Sequence, residues 1–146
     1  MKLFSNLIFA LLAILFASCQ SNSKYERVDS SEIDQARLQF ATTISKSILS
    51  AQKEGGFYLL SEEEATEKMV SGFDETLQKE SYKQIKSAFG DYQHIVFDHM
   101  KKPTDGTLYE MYRFKGKFNP RVKVEVRTVL DANGKLAGFF VKPWKE

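Results

Sequence analysis

From Arg121 to Leu130 the sequence reads RVKVEVRTVL. Val122, Val124, Val126 and Leu130 alternate there with Arg121, Lys123, Glu125 and Arg127. A period of two turns one set of side chains to each face of a strand, so this stretch predicts a strand buried on one side and wetted on the other. That pattern belongs to antiparallel sheets, because parallel sheets are covered on both faces and read as continuous apolar runs. Asp131-Ala132-Asn133-Gly134 follows, and Asn-Gly supplies the positive φ angles of a tight hairpin. Leu136 to Lys142 then returns as the last strand. A chain built around this hairpin must cover the valine face with something apolar.

The cover is expected from upstream. From Glu32 the period is helical, with Ile33, Phe40, Ile44, Ile48 and Ala51 on one face and Gly55-Gly56 as the stop. Ser61-Glu62-Glu63-Glu64 has the form of a capping box that opens a second helix, broken or bent at Gly72. Ser81 to Gln84 has the same form and opens a short helix that Gly90 ends. The period then changes. Asp91 to Met100 reads as a strand, Pro103 to Gly106 as a turn, Leu108 to Phe118 as a strand and Asn119-Pro120 as a turn. The expected fold class is α+β, with N-terminal helices packed on a four-stranded antiparallel meander.

The chain opens with Lys2 and an apolar run from Leu7 to Phe16, too short to cross a bilayer, which takes roughly 20 residues. A charged start, a short apolar run and small residues at its end form a secretory signal. The sequence Phe16-Ala17-Ser18-Cys19 resembles the bacterial lipobox. That resemblance implies removal of residues 1–18, lipidation of the Cys19 thiol and a chain anchored in the bacterial cell envelope. Gln20, where an inner-membrane lipoprotein of the enteric type carries Asp, favours the outer membrane if the cell is Gram-negative. Two or more acyl chains anchor stably where one does not. Residues 19–31 are polar and Ser-rich and are expected to be the lipidated N-terminus and a flexible tether. Residues 32–146 are then a single α+β domain. Cys19 is the only cysteine, so no intrachain disulfide forms and the domain itself is free of thiols.

The stretch from Gly72 to Lys142 resembles a family of small bacterial domains of unknown function, found alone in envelope proteins or ahead of α/β-hydrolase domains. The shared features are the helix ending in Phe89-Gly90, the hairpin Asp131-x-x-Gly134-Lys135-Leu136 and a last strand closing on Pro143. The resemblance implies the cone-shaped fold of the nuclear-transport-factor-2-like superfamily. A cystatin-like helix-plus-sheet fold is the alternative. It implies no catalytic set.

Charge narrows the function classes. Lys and Arg total 21 against 19 Asp and Glu, for a net +2, with the signs interspersed. There is no basic run of the kind that grips phosphates, so nucleic acid is not an expected partner. In the segment His94-Ile-Val-Phe-Asp98-His99, a strand puts His94 and Asp98 on one face and His99 on the other. Four residues of strand span roughly 13 Å, too far for one metal ion, so neither a metal nor a cofactor is expected. On the concave side of a cone, His94 and Asp98 are the candidate acid–base pair, with Tyr112 and Glu110 as candidate ligand-binding residues. Arg113, Lys115, Lys117, Arg121, Lys123 and Arg127 form a cationic zone that suits an anionic surface, or simply a solvated sheet face. Trp144 is expected to seal the core beside Phe139 and Phe140. Nothing here converges as a catalytic constellation. The leading expectation is a non-enzymatic lipoprotein that binds a small ligand or an envelope protein. A cone-fold enzyme using His94 and Asp98 is the alternative.

Overall fold

The computed structural model describes residues 24–120 and 123–146. The apolar run, Cys19, Arg121 and Val122 lie outside the described residues. Strand β1 (Tyr25–Arg27) comes first, then a 3-10 turn (Ser30–Glu32) and helices α1 (Gln35–Lys53), α2 (Glu67–Gly72) and α3 (Glu75–Phe89). Strands β2 (Gly90–Pro103), β3 (Glu110–Pro120), β4 (Val124–Leu130) and β5 (Leu136–Pro143) complete the chain.

The class is α+β, and the sheet is an antiparallel meander in the order β1-β2-β3-β4-β5. It has five strands rather than the expected four. The extra strand comes from the segment read as tether: Tyr25, Glu26 and Arg27 pair with Pro103, Lys102 and Lys101. Three polar-flanked residues carry no readable period. They become a strand because β2 runs on to Pro103 and offers an edge.

Helix α1 starts at Gln35, where Asp34 accepts from the N–H groups of Ala36 (2.9 Å) and Arg37 (3.1 Å). It buries Ile44, Ile48 and Leu49 against Tyr112, Phe114 and Phe118 of β3 and Val124, Val126 and Leu130 of β4, within one core. Ser45 and Thr128, both buried, share a hydroxyl hydrogen bond of 2.5 Å across this interface. Phe114 meets Phe97 at 5.8 Å, and Phe118 meets Tyr92 at 5.7 Å.

Two helix starts differ from expectation. The Ser61–Glu64 box forms, with reciprocal 3.3 Å contacts, but it closes only one turn. Leu136 donates to the Glu64 carbonyl (2.8 Å) and accepts from the Thr66 N–H (3.0 Å), which pins Ala65 against β5. The helix therefore begins beyond Thr66, its cap. Ser81 lies inside α3, which Asp74 caps through Leu77. Buried Gln78 ties α3 to the connection before it, bonding Tyr58 N–H (2.9 Å) and the carbonyls of Tyr58 (2.8 Å) and Phe73 (2.9 Å).

Gly90 joins α3 to β2 at φ +92°, and a Cβ there would lie 1.5 Å from the Asn119 carbonyl oxygen. Only glycine fits this close approach of two backbones. The substitution Gly90→Ala is expected to cost about 3 kcal/mol or more, since backbone strain and displacement of β3 combine. The denaturant midpoint measures it, and an unchanged midpoint overturns the assignment.

Candidate functional site

Strand β2 is not regular. Its register against β3 shifts between Tyr92 and His94 and again between Phe97 and His99. Phe97 faces Phe114 on the helix side, yet His99, two residues on, faces Arg113, next to Phe114 on β3. Asp98 is the extra residue of a β-bulge, and a bulge breaks the period of two. His99 therefore does not point away from Asp98, as alternation predicts. Both belong to the sheet face that the helices leave uncovered, with Arg113 and Lys115.

A continuous ionic chain runs across that face. Lys115 Nζ lies 2.9 Å from Asp98 Oδ1, and Asp98 Oδ2 lies 2.5 Å from His99 Nδ1. His99 Nε2 meets Arg113 Nη1 at 3.2 Å. Arg113 Nη2 donates to Glu125 Oε2 (2.8 Å) and to the Lys145 carbonyl (2.7 Å). Arg127 Nε donates to Glu125 Oε1 at 2.7 Å. The Trp144 ring lies 4.6 Å from the Arg113 guanidinium carbon and 5.0 Å from Lys115 Nζ. Arg113 is 4 % exposed and Glu125 1 %. The polar face of β4 is thus not a solvated face at this point. Trp144 does not join Phe139, which packs against Phe73 among the helices at 5.9 Å. It roofs the guanidinium instead, a favourable cation–π arrangement.

The chemistry of the partners assigns the protons. A guanidinium only donates, so Nε2 of His99 must accept from Arg113. Nδ1 then carries the hydrogen and donates to Asp98. The imidazole is neutral with both nitrogens in use. Burial pushes its pKa down; the Asp98 hydrogen bond pulls the other way, and the Arg113 charge adds to the lowering, which prevails. Burial raises the Asp98 carboxyl, but hydrogen bonds from His99 and Lys115 outweigh it and hold the group low. Glu125 behaves alike, with burial overcome by Arg113 and Arg127.

The four residues singled out from the sequence do not form one site. His94 lies opposite Lys117, exposed, on the same uncovered face as the ionic chain but outside it. Tyr112 is fully buried on the helix side, where its hydroxyl donates to Glu110 Oε2 at 2.8 Å. Burial and that carboxylate drive the phenol pKa far upward, so it stays protonated. Glu110 is held in turn by Arg37 of α1 at 3.3 Å. Three of the six cations of that zone are engaged: Arg113 and Arg127 serve Glu125, and Lys115 serves Asp98. Lys117 and Lys123 are exposed. Among the described residues, no group of three or more His, Cys, Asp or Glu side chains is placed to hold a metal ion. Sequence reasoning missed His99, Glu125 and Trp144 as one assembly. The bulge that unites them has no signal in the residue types.

Comparison of the chain with protein-family models, with curated proteins and with solved structures found no match.

Two predictions follow the chain of charges. Glu125→Ala leaves buried Arg113 without its carboxylate and is expected to cost about 3–5 kcal/mol, read from urea denaturation. Acid also weakens the fold. The unfolded chain takes up the His99 proton at its ordinary pKa of about 6.5 and the folded chain only at lower pH, so stability falls as pH drops below about 6.5. Asp98 and Glu125, held low, extend the loss below about pH 4. Trp144 is the sole tryptophan, and its fluorescence reports the transition. In His99→Gln the stability change between about pH 6.5 and 5 should shrink; an unaltered slope there overturns the role given to His99.

Proposed function

We propose that the protein is a lipid-anchored domain of the bacterial envelope that acts by binding a partner protein rather than by turning over a substrate. The observation that carries this reading is the state of the acid–base groups. His99 has no free nitrogen, Asp98 is committed to His99 and Lys115, Tyr112 and Glu110 are bonded to each other on the opposite face, and His94, exposed, stands outside the ionic chain. A general base needs an unoccupied lone pair within reach of substrate. The helix-facing side of the sheet is filled by Tyr112, Phe114 and Phe118, all fully buried, which favours a protein partner over an enclosed small ligand. Helices packed on one face of an antiparallel meander support the cone-shaped assignment as part of the same proposal.

The anchor rests on Phe16-Ala17-Ser18-Cys19. In a bacterial host the chain is expected to partition with membranes and into the detergent phase of a phase-separating extraction. Cys19→Ala should move it to the soluble fraction, because the acyl chains hold it and no described helix is long and apolar enough to cross a membrane. A Cys19→Ala variant that stays with the membrane overturns the anchor.

A further inference from the structure

Strand β5 is the outer strand of the sheet, and its edge is used only in part. At Leu136 the protein's own chain pairs with it through Glu64 and Thr66, then leaves into α2. Further along, Trp144 donates its backbone N–H to the Lys123 carbonyl at 3.3 Å. That makes the two a hydrogen-bonded pair. In an antiparallel ladder such pairs alternate with pairs whose backbone groups point away. Counting back through the β4–β5 register, Lys142 and Phe140 turn toward β4, while Phe139 and Val141 turn their N–H and C=O groups outward. Pro143, which has no N–H, occupies the next outward position. Among the described residues no strand pairs with these groups. An unpaired edge is a template for another strand.

A groove of about 430 Å³ borders this edge, between β5 and the helices. Phe73, Ile85, Ala88, Phe139 and Val141 supply apolar walls, and Gln52, from the last turn of α1, also lines it. Gln52 is 3 % exposed, and its Oε1 has no hydrogen-bond partner; of the three such buried side-chain atoms among the described residues, with Arg113 Nε and Trp144 Nε1, it is the one beside this groove. The other buried glutamine, Gln78, has its oxygen bonded and its nitrogen bonded twice. Buried polar atoms are rarely left unmatched, and one that is calls for an explanation.

We propose that this groove receives an extended segment of a partner protein. The segment adds as a sixth strand along Phe139–Val141, lays an apolar side chain between β5 and α3, and gives an N–H to Gln52 Oε1 once that side chain, shielded in the free chain, turns into the groove. Strand addition of this kind takes affinity from the main chain and specificity from the alternate side chains. A small apolar ligand fills the walls but leaves the outward backbone groups and Gln52 unpaired. An extended polypeptide satisfies all three. The inference deepens the binding reading above by naming the site and the chemistry of the partner.

The test uses the full-length Cys19→Ala chain and a displayed library of random decapeptides. Enriched peptides should alternate apolar and polar residues and slow hydrogen exchange at the Phe139 and Val141 amides. Val141→Pro removes one outward N–H without removing a β4 bond, as prolines on edge strands do. It should weaken an enriched peptide at least tenfold. Gln52→Leu should raise the melting temperature of the free chain, since an unmatched acceptor is lost, and weaken the same peptide about tenfold. A lowered melting temperature in Gln52→Leu overturns the proposal, because the oxygen is then already satisfied. Peptides that bind both variants as well as the parent overturn this site but leave the binding reading standing. A parent chain that is dimeric and becomes monomeric in Val141→Pro assigns the edge to a second copy and overturns the partner segment. Failure to enrich any peptide over an unrelated target also overturns the proposal.

Discussion

Arg113 is the residue on which the uncovered half of this structure depends. The helices lie on one side of the sheet, so the other side has to bury its own middle. Arg113 stands on β3, at the centre of the meander, and is buried, as are the apolar residues beside it. Taking a guanidinium out of water is costly unless its donors are matched. Here its two Nη groups reach Glu125, His99 and the Lys145 carbonyl and Trp144 covers its face, while Nε is left without a partner. The bulge in β2, the polar face of β4 and the C-terminal tail are all arranged around one cation. Glu125 accepts from Arg127 as well, so the buried charge is shared across neighbouring strands.

That arrangement has the parts of a catalytic relay, with both imidazole nitrogens already engaged. In a working relay a carboxylate orients a histidine whose second nitrogen is free to take a proton from a nucleophile. Asp98 orients His99 in that manner, but the second nitrogen faces a guanidinium. A cation has no proton to give up at ordinary pH, and its charge disfavours protonation of the ring. The same geometry that disables base catalysis makes His99 a structural acceptor. Unmatched buried polar atoms occur at both places, Arg113 Nε and Trp144 Nε1 within this assembly and Gln52 Oε1 beside the unpaired edge of β5.

Legibility differed from element to element for physical reasons. The β4–β5 hairpin was plain, because alternation and Asn-Gly are local signals. Helix α1 was plain in its apolar face and its Gly55-Gly56 stop, though its cap lay at Asp34. The Ser61 box was read correctly as a local motif and wrongly as a helix, since a backbone pairing to Leu136, 75 positions after it, outcompeted the next turn. Strand β1 was invisible: three residues have no period, and only the overhanging end of β2 made them a strand. Counting in twos put His94 and Asp98 on one face, as they are, but it sent His99 to the other, and the bulge at Asp98 made that last step fail.

What the sequence determined by itself was the local grammar: helical and strand periods, the hairpin, the glycine at position 90, a single thiol at Cys19 and the α+β class. These follow from side-chain spacing and backbone freedom, which act over a few residues. The tertiary structure decided which polar residues meet. Arg113, Glu125, His99 and Trp144 come from β3, β4, β2 and the tail, and no short-range rule links them. Their burial is decided by strand register and one inserted residue, quantities that exist only once the sheet has formed. The same holds for Gln52, an ordinary polar residue in α1 that becomes an unmatched acceptor only when α3 and β5 close around it.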